Sequence, residues 1–83
     1  MQTFDLNQWA IAFLREIGNF TPHKNIVKFV IGWARKEGGG QTNSCQFNAL
    51  NTMQPRPGSW SCTHIGIQAY PTFADGVAAN SEP

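Results

Sequence analysis

The chain has 83 residues, a net charge of +1 and an apolar share of 41%. That allows one small domain or a fragment of a larger one, and a chain this short buries only about 60% of its unfolded surface, so its stability is marginal without a staple or partners. Charged residues make up 13%, against roughly 25% in an average domain. With no basic cluster, the electrostatic footprint of a nucleic-acid binder is missing. Gly, Asn, Gln, Ser and Thr fill the gap, a surface of uncharged hydrogen-bonding groups suited to neutral polyols such as glycans.

Phe4 to Ile17 is predicted as a helix, because Phe4, Trp9, Ala10, Ala12, Phe13 and Ile17 recur at three- and four-residue steps. Thr3 or Asp5 caps its start, and Gly18-Asn19 ends it. Asp5, Arg15 and Glu16 interrupt the apolar stretch and no basic segment precedes it, so residues 1–20 do not read as a secretory signal. No run approaches the ~20 apolar residues that span a bilayer.

The second helix is expected from Pro22 to Lys36 or Glu37, with Thr21 as cap and Pro22 in the first turn, where its missing N–H costs nothing. Ile26, Val27, Phe29, Val30, Ile31, Trp33 and Ala34 place apolar groups on most of its sides, so it is expected to be the central helix, buried on more than one face. His23, Lys24 and Lys28 mark its solvated edge. Gly38-Gly39-Gly40 terminates it directly after the carboxylate of Glu37.

From Gln41 to Thr63 helical periodicity disappears. Pro55-Arg56-Pro57-Gly58 is a turn signature that short extended pieces could flank as an antiparallel ribbon. His64 to Tyr70 alternates weakly, as a strand would. A third helix follows, with Thr72 as cap, Asp75 as its capping-box partner and Phe73, Val77, Ala74 and Ala78 on its buried face. The fold class is therefore α+β, mainly α: one domain over 1–83, two N-terminal helices, an irregular or hairpin middle and a short C-terminal helix. Cys45 and Cys62 bracket the polar middle; either they form a disulfide worth ~3 kcal/mol or they are two buried thiols. His23 and His64 lack the spacing of a zinc site, and no metal or cofactor is expected.

The order of these features carries a resemblance. Ala34-Arg35-Lys36-Glu37-Gly38-Gly39, then Phe47-Asn48-Ala49-Leu50-Asn51-Thr52, Gln54-Pro55-Arg56-Pro57-Gly58-Ser59 and Gly66-Ile67-Gln68-Ala69-Tyr70-Pro71-Thr72-Phe73 with Gly76-Val77 resemble lysozyme-like cell-wall hydrolase domains of bacteriophages and actinobacteria, relatives of the lytic transglycosylases and glucosaminidase autolysins. The resemblance covers residues 27–79. It implies a helix-delivered catalytic acid, Glu37, facing an Asn-rich loop that binds peptidoglycan glycan strands, with Asn48, Asn51, Thr52, Gln68 and Tyr70 as substrate-binding residues. It implies a phage virion or a lysin released to the cell wall as the location. Such domains continue with one or two further helices, so the resemblance also implies a truncated domain, its far cleft wall supplied by a missing C-terminal segment or a second chain.

The chemistry suits these residues. Glycosidic cleavage needs a carboxylic acid still protonated near neutral pH. The partial negative charge of a helix C-terminus, together with packing against Trp33, Phe47 or Tyr70, is expected to raise the pKa of Glu37. The plainer reading is a solvated Glu at a helix end. For Asn48, Asn51 and Thr52 it is a self-bonded turn, and for Tyr70 a core aromatic. Trp60 is read as a local packing group rather than a sugar platform. Of the remaining acids, Asp5, Glu16, Asp75 and Glu82, none is placed as a second catalytic carboxylate. A single acid then fits a transglycosylase or substrate-assisted route, Glu37 acting first as acid and then as base. The alternative function is a non-catalytic lysozyme-like module for wall binding or virion structure.

Overall fold

The computed structural model describes residues 4–37 and 45–82. Three helices and one two-stranded antiparallel hairpin make up its regular structure: α1 (Leu6–Glu16), α2 (Lys24–Lys36), β1 (Trp60–Ser61), β2 (Gln68–Ala69) and α3 (Phe73–Asn80). The class is α+β, mainly α, with a short C-terminal helix, as the sequence predicts. Thr3 and the Gly38–Gly40 terminator lie outside the described residues.

α1 begins at Asp5, whose carboxylate accepts from the Asn7 N–H at 2.8 Å. It ends where Gly18 adopts φ +104° and the Asn19 N–H reaches back to the Leu14 carbonyl at 2.8 Å. Only a residue free of a Cβ takes that left-handed turn without strain. Leu6, Trp9, Ala10, Phe13 and Leu14 form the buried stripe of α1. They meet Val27, Val30 and Ala34 of α2, Val77 of α3 and Ala49 of the intervening loop in one core.

α2 departs from expectation at both levels. Its cap is His23, not Thr21: the His23 Nδ1 accepts from the Asn25 N–H at 3.1 Å, and Pro22 stays outside the helix. The imidazole lone pair, two residues upstream of the orphan Asn25 amide, takes the capping role expected of the Thr21 hydroxyl. Nor is α2 central. Only Val27, Val30 and Ala34 are buried, while Ile26, Phe29 and Trp33 face outward. α1, which packs against both α2 and α3, is the central helix.

The middle of the chain is irregular but densely bonded. Pro57 and Gly58 occupy the centre of a turn closed by the Ser59 N–H to the Arg56 carbonyl at 2.9 Å, with Gly58 at φ +84°; proline followed by a positive-φ glycine is the type II arrangement. The ribbon does not flank this turn. It lies after it, Trp60 pairing with Ala69 and Ser61 with Gln68, so the extended part of His64–Tyr70 contracts to two residues. The connecting loop folds on itself, the Thr63 Oγ1 accepting from the Ile67 N–H at 3.1 Å. Cys45 and Cys62 are disulfide-bonded, with Cα atoms 5.7 Å apart, tying the start of the loop to the end of β1.

α3 starts as the capping box predicts. Thr72 Oγ1 accepts from the Asp75 N–H at 3.0 Å and donates to the Asp75 carboxylate at 2.9 Å. Val77 is buried and Phe73 partly so, but Ala74 is exposed, and the buried stripe runs through Gly76, Val77, Ala79 and Asn80 instead. Gly76 is where α3 touches the loop: a Cβ there would overlap the Phe47 carbonyl oxygen and come within 2.9 Å of the Phe47 Cβ. Phe47 itself is held at φ +57°, a conformation of order 1–3 kcal/mol above ordinary backbone. Its ring is braced between Phe4 and Phe73, with centroids 6.1 and 6.2 Å away.

Candidate active site

Glu37 is the C-cap of α2, its N–H bonded to the Trp33 carbonyl at 3.0 Å, and its side chain is exposed. It borders a cleft of about 260 Å³ lined by Trp33, Glu37, Leu50, Thr52, Asn80 and Glu82. Three segments distant in sequence meet there: the end of α2, the Asn48–Thr52 loop and the end of α3. The loop is fastened to the acid-bearing residue, because the Asn51 carboxamide donates to the Glu37 carbonyl at 2.6 Å. That bond satisfies one of the carbonyls a helix leaves unpaired at its C-terminus. Asn51 makes it from φ +55°, a left-handed conformation that Asn tolerates better than most residues.

The predicted binding residues divide into two groups. Thr52 lines the cleft beside Glu37, and Asn51 holds the backbone of Glu37. Asn48, Gln68 and Tyr70 belong to the scaffold beneath. Asn48 is 0% exposed. Its Nδ2 donates to the Thr52 and Gln68 carbonyls at 2.8 and 2.7 Å, and its Oδ1 accepts from the Thr52 N–H at 2.9 Å. The amide thereby joins the loop to β2, and a bound sugar has no surface of it to touch. Gln68 accepts from the Ser59 hydroxyl at 2.9 Å and donates to the Gly66 carbonyl at 3.1 Å. Tyr70, also 0% exposed, donates its hydroxyl to the Gln54 carbonyl at 2.5 Å. A ring buried on all sides offers no stacking face, so the core-aromatic reading describes it.

Burial is the main cause that pushes the Tyr70 phenol up to about 12; the negative charge of Glu82 adds to it and Arg56 opposes it. The aromatic wall expected around Glu37 reduces to Trp33, since Phe47 packs with Phe4 and Phe73 and Tyr70 lies below.

Two cleft residues escape sequence reasoning. Asn80 sits buried at the floor, its Oδ1 accepting from the Leu50 N–H at 2.8 Å and its Nδ2 donating to the Gly76 carbonyl at 2.7 Å. Glu82 supplies a second carboxylate to the cleft, 3.4 Å from the Arg56 guanidinium, which also lies 3.5 Å from Asp75. Two carboxylates, Glu37 and the Arg56-paired Glu82, therefore border one cleft. No periodicity or motif in Asn80-Ser81-Glu82 signals this. It follows from the packing of α3 on α1, which brings the end of α3 to the cleft. Among the described residues, no group of His, Cys, Asp and Glu could hold a metal ion, and no helix is long and apolar enough to cross a membrane.

Comparison with protein-family models, with curated proteins and with solved structures found no match to this chain.

Proposed function

We propose that the chain cleaves the glycan strands of peptidoglycan, as a lysozyme- or lytic-transglycosylase-type domain of phage origin, with Glu37 as general acid. The observation that carries this reading is the placement of Glu37. It stands at the end of a helix, on the rim of a cleft, with its main chain fastened by Asn51 to the loop that also lines it. The bond fixes the main chain from which the Glu37 carboxylate reaches the cleft, and a fixed origin for the acid is the positioning that lowers a barrier. In the first step Glu37 donates its proton to the glycosidic oxygen, and the C1–O bond breaks with oxocarbenium character. The conjugate carboxylate then takes a proton either from water, releasing a reducing sugar, or from the 6-hydroxyl of N-acetylmuramic acid, releasing an anhydro sugar. Glu82 on the same cleft suits the first branch, as a group that orients the water.

The test is Glu37→Gln, assayed by mass spectrometry of the products released from purified cell walls. A loss of 10²- to 10⁴-fold is expected for removal of a general acid; equal activity in wild type and variant sinks the assignment. Glu82→Gln separates the branches: loss of reducing product alone assigns Glu82 to the attacking water. A second reading, wall binding without cleavage, is favoured by the commitment of Asn48, Gln68 and Tyr70 to the scaffold, which leaves few polar side chains for chemistry. It prevails if wild type binds walls and releases neither product.

A further inference from the structure

We infer that the outward aromatic face of α2 is a second glycan subsite, continuous with the acid cleft, that takes a neighbouring unit of a carboxylate-bearing aminosugar strand. The inference rests on the proposed glycan substrate and extends it to a surface that neither composition nor motif assigns. Phe29 and Trp33 lie one helical turn apart and therefore on one side of α2. With Lys36 they line a groove of about 420 Å³. Phe29 is 69% and Trp33 42% exposed, an apolar surface of the kind that marks binding grooves.

Three observations select the occupant. Trp33 lines both this groove and the Glu37 cleft, so the two share a wall. A polymer longer than the cleft must leave it over one of its walls, and this one is aromatic. Second, the indole is braced from inside: the buried Phe13 meets Trp33 edge-on at 5.9 Å and 81°, and is itself stacked on Trp9 at 5.1 Å. A ring held by the core while part of it stays open is a preformed platform, and the C–H face of a pyranose packs on such a ring. Third, Lys36 lines the groove beside the two rings, a cation with which the lactyl or peptide carboxylate of a muramic unit would pair. A chitin strand carries no such group.

The experiment uses Glu37→Gln protein, which binds without turnover, titrated with a muramic-acid-containing tetrasaccharide and, separately, with chitotetraose. The indole ¹⁵N–H signals of the three tryptophans are followed by NMR. The Trp33 signal is expected to shift. Phe29→Ala in the same background is expected to weaken binding about three- to tenfold without lowering the melting temperature, since the ring is mostly exposed. Lys36→Gln is expected to weaken the muramic ligand and leave chitotetraose unchanged. An unmoved Trp33 signal with unaltered affinity in Phe29→Ala overturns the inference. So does a dimer, seen by sedimentation, that Phe29→Ala dissolves. The two proposals fail separately. A wild type that cleaves nothing while its Trp33 signal shifts defeats only the catalytic one. A wild type that cleaves, with Phe29→Ala matching it in binding and in KM on long strands, defeats only this one.

Discussion

Replacing Asn48 by Ala distinguishes a scaffold amide from a sugar-binding one. The carboxamide is fully buried, and among the described residues it donates to the Thr52 and Gln68 carbonyls and accepts from the Thr52 N–H. At about 1 kcal/mol net for each of these bonds, their removal costs about 3 kcal/mol. The Thr52 N–H, left without Oδ1 in a part-buried loop, keeps the loss from falling below that sum. A domain of this size has on the order of 4–12 kcal/mol in total, so the variant should still fold. Its melting temperature should drop by about 12–24 °C, at 4–8 °C per kcal/mol. The assay is thermal unfolding by circular dichroism, paired with product release from cell walls well below both midpoints. The scaffold reading expects a large drop in melting temperature and, at low temperature, an activity within a few-fold of wild type. An unchanged melting temperature with activity abolished refutes it and returns Asn48 to the substrate.

The other expectations concern backbone, crosslink and titration. Gly76→Ala should destabilise by about 1–3 kcal/mol, because the new methyl meets Phe47 backbone that cannot move aside. Gly32→Ala, in α2 with nothing within 4 Å of its Cβ position, should stabilise by up to about 1 kcal/mol. Melting temperatures that shift in the same direction would defeat the packing argument. Reduction of Cys45–Cys62, which are 17 residues apart, should cost about 3 kcal/mol in the chain-entropy model. Denaturant midpoints with and without reductant measure it, and coincident midpoints would show that the bridge constrains nothing. Tyr70 binds its proton more tightly folded, near 12, than its ordinary value of 10. Its contribution is therefore fully present below pH 10 and lost as pH rises through 12, at no more than about 1.4 kcal/mol per pH unit. Absorbance titration of this single tyrosine should show ionisation delayed until near pH 12 or until unfolding. A normal transition near pH 10 in folded protein would contradict its burial.

Much of the architecture was legible because local rules act over a few residues. The apolar steps of α1, the Gly18 stop, the Pro57-Gly58 turn and the Thr72/Asp75 cap each depend on neighbours within about four positions. Glu37 at the end of α2 was readable for the same reason. Which face of an apolar helix is covered was not readable, since coverage depends on partners elsewhere in the chain. α2 carries apolar residues on most sides, yet only Val27, Val30 and Ala34 are fully buried, Ile31 being partly covered by the core. Phe29 and Trp33 remain outside.

The site divides along the same line. By itself the sequence determined the class of the fold, the position of an acid at a helix terminus and the polar loop that follows. Only the tertiary structure decided what those polar residues do. Asn48, Gln68 and Tyr70 turn inward because the loop between Cys45 and Tyr70 contains little regular secondary structure to satisfy its backbone. Side chains must supply those hydrogen bonds instead. Glu82 and Asn80 reach the cleft because α3 packs on α1 with its C-terminal end beside that of α2. That packing sums long-range contacts, and no short stretch of the chain encodes it.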